Sequence, residues 1–127
     1  MVVESKEIKG VSPIIIPGYA EAMSIPARKG AEIDLILTRP ILEIVLKEHR
    51  QEISELMKLD NFRLYCLDKD IKVAFTVTDA HLYLGLYRLD GTYDLGNDLF
   101  CRGDSATNWG RKLFEYYLSM SNRQLQI

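Results

Sequence analysis

The stretch from Ile71 to Tyr87 constrains this chain most, because its two arms can be set in register around Asp79-Ala80 as a two-residue hairpin loop. In that register Ile71, Val73, Phe75 and Val77 face a core beside Leu82, Leu84 and Leu86. The opposite face carries Lys72, Ala74, Thr76 and Thr78 on one arm and His81, Tyr83, Gly85 and Tyr87 on the other. Ala74 then stands opposite Gly85, which leaves a shallow floor between the pairs Thr76 with Tyr83 and Lys72 with Tyr87. A face of that kind accepts a ligand or a partner, and Thr76, Thr78, His81, Tyr83 and Tyr87 form the expected ligand-facing set.

Elements on either side of the hairpin alternate between the two periods. Glu7 to Ile16 ends in a β-branched cluster bounded by Pro17-Gly18 and reads as a buried strand. Gly18 to Lys29 reads as a short helix interrupted at Pro26 and closed by Gly30. Ala31 to Thr38 is a central strand, so this strand-helix-strand unit predicts a parallel crossover. A long amphipathic helix from about Arg39 to Leu59 follows, capped by Thr38, with Pro40 in its first turn and Leu42, Val45, Leu46, His49, Ile53, Leu56 and Met57 on one stripe. Phe62 to Leu67 is a further strand, and Asp90-Gly91 makes a turn beyond the hairpin. Tyr93 to Gly103 reads as a polar loop. A last helix begins at Asp104 or Ser105, either acting as cap, with Trp109, Leu113, Tyr116 or Tyr117, and Met120 along its apolar stripe. At 127 residues the chain is expected to be a single α/β domain over residues 1–127. The expected architecture is a mixed sheet of about five strands with helices packed on it, in the order β-α-β-α-β-β-β-α.

Composition excludes several classes. Sixteen Lys and Arg against eighteen Asp and Glu give a formal charge of -2, which lacks the positive excess of a nucleic-acid surface. Cys66 and Cys101 are too few and too far apart for a disulfide scaffold or a zinc site, so a reducing, cytoplasmic setting is expected. The longest apolar runs fall far short of the roughly 20 residues that cross a bilayer, so no membrane association is expected.

No other constellation carries chemistry. His49 lies on the apolar stripe of a helix and reads as a hydrogen-bonded, half-buried side chain. The acidic run Asp90 to Asp98 has alternating oxygen donors, but Leu95 stands where a calcium loop needs glycine and Cys101 where it needs glutamate. Neither a metal nor any other cofactor is expected. Arg102-Gly103-Asp104 is a chance tripeptide, and no glycine-rich phosphate loop is present. Arg39, a cation at a helix start, joins the expected ligand-binding set as an anion contact.

Four segments in order, Gly10-Val-Ser-Pro13, Lys29-Gly-Ala-Glu-Ile-Asp-Leu-Ile-Leu-Thr38, Asn61-Phe-Arg-Leu-Tyr65 leading to Val73-Ala-Phe-Thr-Val-Thr-Asp79, and Trp109-Gly-Arg-Lys-Leu-Phe-Glu-Tyr-Tyr117, resemble a known family. It is the middle domain that follows a winged helix in archaeal transcription regulators, named after a regulator of methanogenesis and filament formation. The resemblance implies a non-catalytic effector domain that senses a small molecule, forms a homodimer, and reaches DNA only through an N-terminal winged helix-turn-helix outside this sequence. It also implies an element order like that of the phospholipase D fold. That superfamily's His-x-Lys signature is absent, since His81 is followed two positions on by Tyr83 and His49 by Gln51. The alternatives are a purely structural dimerisation or protein-interaction module and, with least support, a divergent hydrolase.

Overall fold

The computed structural model describes residues 5–16 and 18–124, so the strand stop expected at Pro17 lies outside the described residues. Its elements are β1 (Glu7–Ser12), α1 (Tyr19–Arg28), β2 (Glu32–Thr38), α2 (Arg39–Glu48), α3 (Arg50–Met57), β3 (Phe62–Leu67), β4 (Phe75–Thr78), β5 (His81–Tyr87), β6 (Tyr93–Arg102), α4 (Asp104–Leu118) and β7 (Ser121–Gln124). All strands join one seven-stranded sheet in the order β6-β5-β4-β1-β2-β3-β7. The three strands β1, β2 and β3 are mutually parallel, and every other neighbouring pair is antiparallel.

The parallel strands are covered on both faces, which is why β2 reads as an unbroken apolar run and is buried from Ile33 to Thr38. Ile33, Leu35 and Leu37 pack with Met23, Leu42, Ile53 and Leu56 under α1, α2 and α3. Ile36, with Val11, Phe75, Val77 and Leu82, packs on the other face against Phe114 of α4. That second face also holds Asp34, whose carboxylate accepts from Arg63 Nε at 2.6 Å and from Lys9 Nζ at 3.3 Å.

Burial raises the Asp34 carboxyl, but Arg63 and Lys9 outweigh it and hold the group below the usual carboxylate range. The strands β1, β2 and β3 end together at Ser12, Thr38 and Leu67, forming a carboxyl edge crossed by the link from Leu67 to Phe75. The opposite edge holds the start of β1 at Glu7 and the end of β7 at Gln124.

Several expectations are corrected. The sheet has seven strands rather than five, because Tyr93 to Arg102 is a strand and Ser121 to Gln124 adds another. Both are edge strands that need no apolar periodicity to pair. The long helix is broken at His49, whose φ of -125° and ψ of 34° separate α2 from α3, although both keep their apolar sides on one core. Strand β1 stops at Ser12, leaving Ile15 and Ile16 more than a third exposed. Pro26 does not interrupt α1; two residues from the end, its missing N–H removes a single helical bond.

The first arm of the hairpin is regular only from Phe75. Thr38 makes no side-chain cap, and α4 is preceded by Gly103 rather than capped by Asp104 or Ser105. The buried stripe of α4 is Thr107, Gly110 and Phe114, which leaves Trp109 50% exposed.

Candidate functional site

The hairpin has the register that its sequence predicts: Thr76 pairs with Tyr83 and Val77 with Leu82, and the Gly85 N–H donates to the Ala74 carbonyl at 2.7 Å. Strand β6 extends the polar face by a further row. Tyr83 lies beside Phe100 and Gly85 beside Asp98, and a register shift after Gly85 brings Tyr87 opposite Tyr93. The Ala74–Gly85 floor is therefore not bare. A Cβ on Gly85 would come 2.7 Å from Cε1 of Tyr93, so the Tyr93 ring lies over the glycine and narrows the expected shallow surface to a cleft.

The cleft measures about 100 Å³ and is bounded by Tyr19 of α1, Thr76 of β4, Tyr83 and Gly85 of β5, and Tyr93 and Asp98 of β6. Burial raises the Tyr83 phenol and the Asp98 carboxylate adds to the shift; Tyr93 is raised by burial and by Asp98 and Asp94. Burial also raises Tyr19, against the opposing effect of its hydrogen bond with Thr76. The cleft thus presents protonated phenols, a threonine hydroxyl and one carboxylate. Those groups orient the polar end of a ligand by hydrogen bonding.

The expected site residues do not all meet there. Thr76 and Tyr83 line the cleft. Thr78 is 1% exposed, and its hydroxyl accepts from the N–H groups of His81 at 3.1 Å and Ala80 at 3.4 Å, closing the hairpin turn. His81 stacks on Phe100 with ring centroids 4.9 Å apart. Tyr87 packs edge-on against Tyr93 at 5.2 Å, with the Lys72 ammonium 5.7 Å from its ring. Arg39 lies at the carboxyl edge, where its Nε is 3.4 Å from Asp68 and both side chains are more than half exposed. It borders a charged recess of about 360 Å³ shared with Lys69, Asp70 and Lys72.

Tyr19, Tyr93 and Asp98 were not expected here. No local spacing marks Tyr19, whereas Tyr93 and Asp98 would have emerged had residues 93–102 been read as a strand.

A second space adjoins the first. Between the sheet and helices α1, α2 and α3 lies an apolar cavity of about 50 Å³, with Met23, Leu37, Val45, Ile53 and Leu64 among its walls. Ser12, Ile16 and Tyr19 border both the cavity and the cleft. At roughly 10–15 Å³ per water-sized occupant, the cavity admits a handful of apolar atoms.

A family described as "Methanogenesis regulatory protein FilR1, middle domain" matches residues 1–120. The Methanogenesis regulatory protein FilR1 of Methanothrix harundinacea (strain 6Ac) is 39% identical over 121 residues, covering 92% of this chain and 27% of that protein. The chain therefore spans about a quarter of that relative. Among solved structures, TrmBL2, an archaeal chromatin protein whose structure shows a novel mode of DNA binding, superposes with a TM-score of 0.79 at 16% identity. That match covers 97% of this chain and 47% of TrmBL2, and shows the fold.

Proposed function

Because the chain belongs to the FilR1 middle-domain family and is a domain of an archaeal transcription regulator, we propose that it is that regulator's effector-sensing part. The domain does no catalysis. A small molecule with an apolar body and a hydrogen-bonding end occupies the space on both sides of Tyr19, and its occupancy biases a winged helix elsewhere in the cytoplasmic protein. The observation that carries this reading is the meeting of an apolar cavity and a polar cleft at Tyr19, with Thr76 and Tyr83 on the polar side. A ligand shifts such a two-state device only by its differential affinity for the two arrangements.

The test is a thermal-shift screen of amphipathic metabolites and organic anions against the protein, Tyr83→Ala and Val45→Trp. A ligand at 100 times its dissociation constant stabilises by about 2.7 kcal/mol, a rise of several degrees. Loss of that rise in both variants supports the shared space; a rise retained in both removes it. Binding at the charged recess would instead be lost in Arg39→Ala.

Strand β6 favours a second reading, a homodimer. It is a sheet edge of ten residues with Leu95 75% and Leu99 49% exposed, and Trp109 of α4 adds further exposed apolar surface. Light scattering on Leu99→Arg distinguishes the readings: a dimer held by this edge becomes monomeric, while effector binding persists.

A further inference from the structure

We propose that Glu21, His49 and Glu52 form a site for a divalent transition-metal ion of the zinc class at the rim of the apolar cavity. One carboxylate oxygen from each glutamate and one imidazole nitrogen lie within 4.8 Å of one another. The ligands come from separate places in the chain: Glu21 from the first turn of α1, His49 from the break between α2 and α3, and Glu52 from the first turn of α3. Sequence spacing shows only the last two, three positions apart, which is why local motifs gave no sign of a metal.

The surroundings are what a cation site requires. No hydrogen bond to the His49 ring occurs among the described residues, contrary to the bonded histidine that the sequence suggests. Neither Glu21 nor Glu52 pairs with a lysine or arginine among the described residues, although the fold forms ion pairs freely elsewhere, as at Arg28 and Glu55. Two carboxylates therefore converge on an imidazole with no lysine or arginine paired to them among the described residues, an arrangement that a dication relieves.

Tetrahedral coordination at about 2.0–2.2 Å puts ligand atoms about 3.4 Å apart, so the exposed glutamates need to close by up to about 1.4 Å. Imidazole with two carboxylates suits zinc, cobalt or manganese rather than magnesium or calcium. Three protein ligands leave a coordination position open. Glu21 and His49 also border the cavity, so a bound ion ties α1 to the α2–α3 break across its rim.

The test is titration of the metal-stripped, untagged protein with Co²⁺, read by visible absorption, and with Zn²⁺, read by calorimetry, in the absence of any effector. It is therefore independent of the sensing proposal. One equivalent is expected, with affinity falling at least about tenfold in His49→Ala, Glu21→Gln and Glu52→Gln and unchanged in His81→Ala. Circular dichroism confirms that each variant is folded. No one-equivalent binding by the parent protein, affinity unchanged in His49→Ala, or loss in His81→Ala would each overturn the site.

Discussion

A Cβ atom on Gly10 would stand 2.9 Å from the Tyr19 hydroxyl oxygen, so the bare backbone in the middle of β1 is the seat of the ring that divides cavity from cleft. Leu35 Cδ2, at 3.2 Å from the same position, closes the other side. Replacing a strand glycine by alanine recovers roughly 0.5–1 kcal/mol of backbone entropy, but overpacking typically costs 1–3 kcal/mol. Gly10→Ala should therefore lose about 1 kcal/mol in urea denaturation. Adding Tyr19→Phe should make the double variant less destabilised than the sum of the two singles.

Gly110 presents the same contest on α4. A methyl there would meet Leu82 Cδ1 at 3.0 Å and Val77 Cβ at 3.0 Å, and the second atom is fixed to the strand backbone. The helix gains about 1 kcal/mol from alanine over glycine. Overpacking outweighs it. Gly110→Ala should be less stable by about 1 kcal/mol, whereas alanine at exposed Asn108 on the same helix should be neutral within about 0.5 kcal/mol.

Asp34 sets an acid dependence. Its folded carboxyl titrates below its unfolded value, so its contribution is fully present above about pH 4 and is lost as the pH falls through the folded value. Asp34→Asn removes this contribution and leaves Lys9 and Arg63 without their shared partner on a largely buried face. The variant should lose about 2 kcal/mol at pH 7, less than the 3–5 of a fully buried pair because both cations are partly exposed. The gap between variant and parent should narrow below about pH 4 in denaturant titrations.

The Asn61 side-chain amide donates to the carbonyls of Ala27 at 2.8 Å and Ala31 at 2.7 Å, tying the end of α1 to the start of β3. Asn61→Ala leaves both acceptors without this donor in a part-buried corner. A loss of about 2 kcal/mol is expected, and amide exchange should accelerate first around residues 27–31.

What the sequence discloses follows from what each residue must do. Phe75, Val77 and Leu82 have to face a core, so alternation around Asp79-Ala80 fixed the pairing of Thr76 with Tyr83. The parallel unit was legible for the same reason, since β2 is buried on both faces. Leu95, Gly96 and Asn97 in β6 are exposed and carry no such obligation, and Ser121 to Gln124 are polar throughout, so nothing in their pattern announces strands. The candidate site was half visible because it is half local: Thr76 and Tyr83 share a hairpin and Tyr93 lies on the next strand, which its exposed pattern hid, but Tyr19 arrives from a helix whose position only the tertiary fold sets. His49 kept the helical period while breaking the helix, because both segments lie on the same core.

The strand β1 joins the two edges of the sheet directly. Ser12 borders both candidate spaces at the carboxyl edge, and Glu7, five residues back along the same strand, lies at the opposite edge. That start is anchored: the Asp79 carboxylate accepts from the Glu7 N–H at 2.7 Å, and Arg111 Nε of α4 donates to the Glu7 side chain at 3.2 Å. The path between them is a single extended segment of about 17 Å with no loop in it. Clamped between β2 and β4, β1 is a tie-bar: it holds the edge that borders both spaces at a fixed distance from the edge where the chain enters the sheet at Glu7.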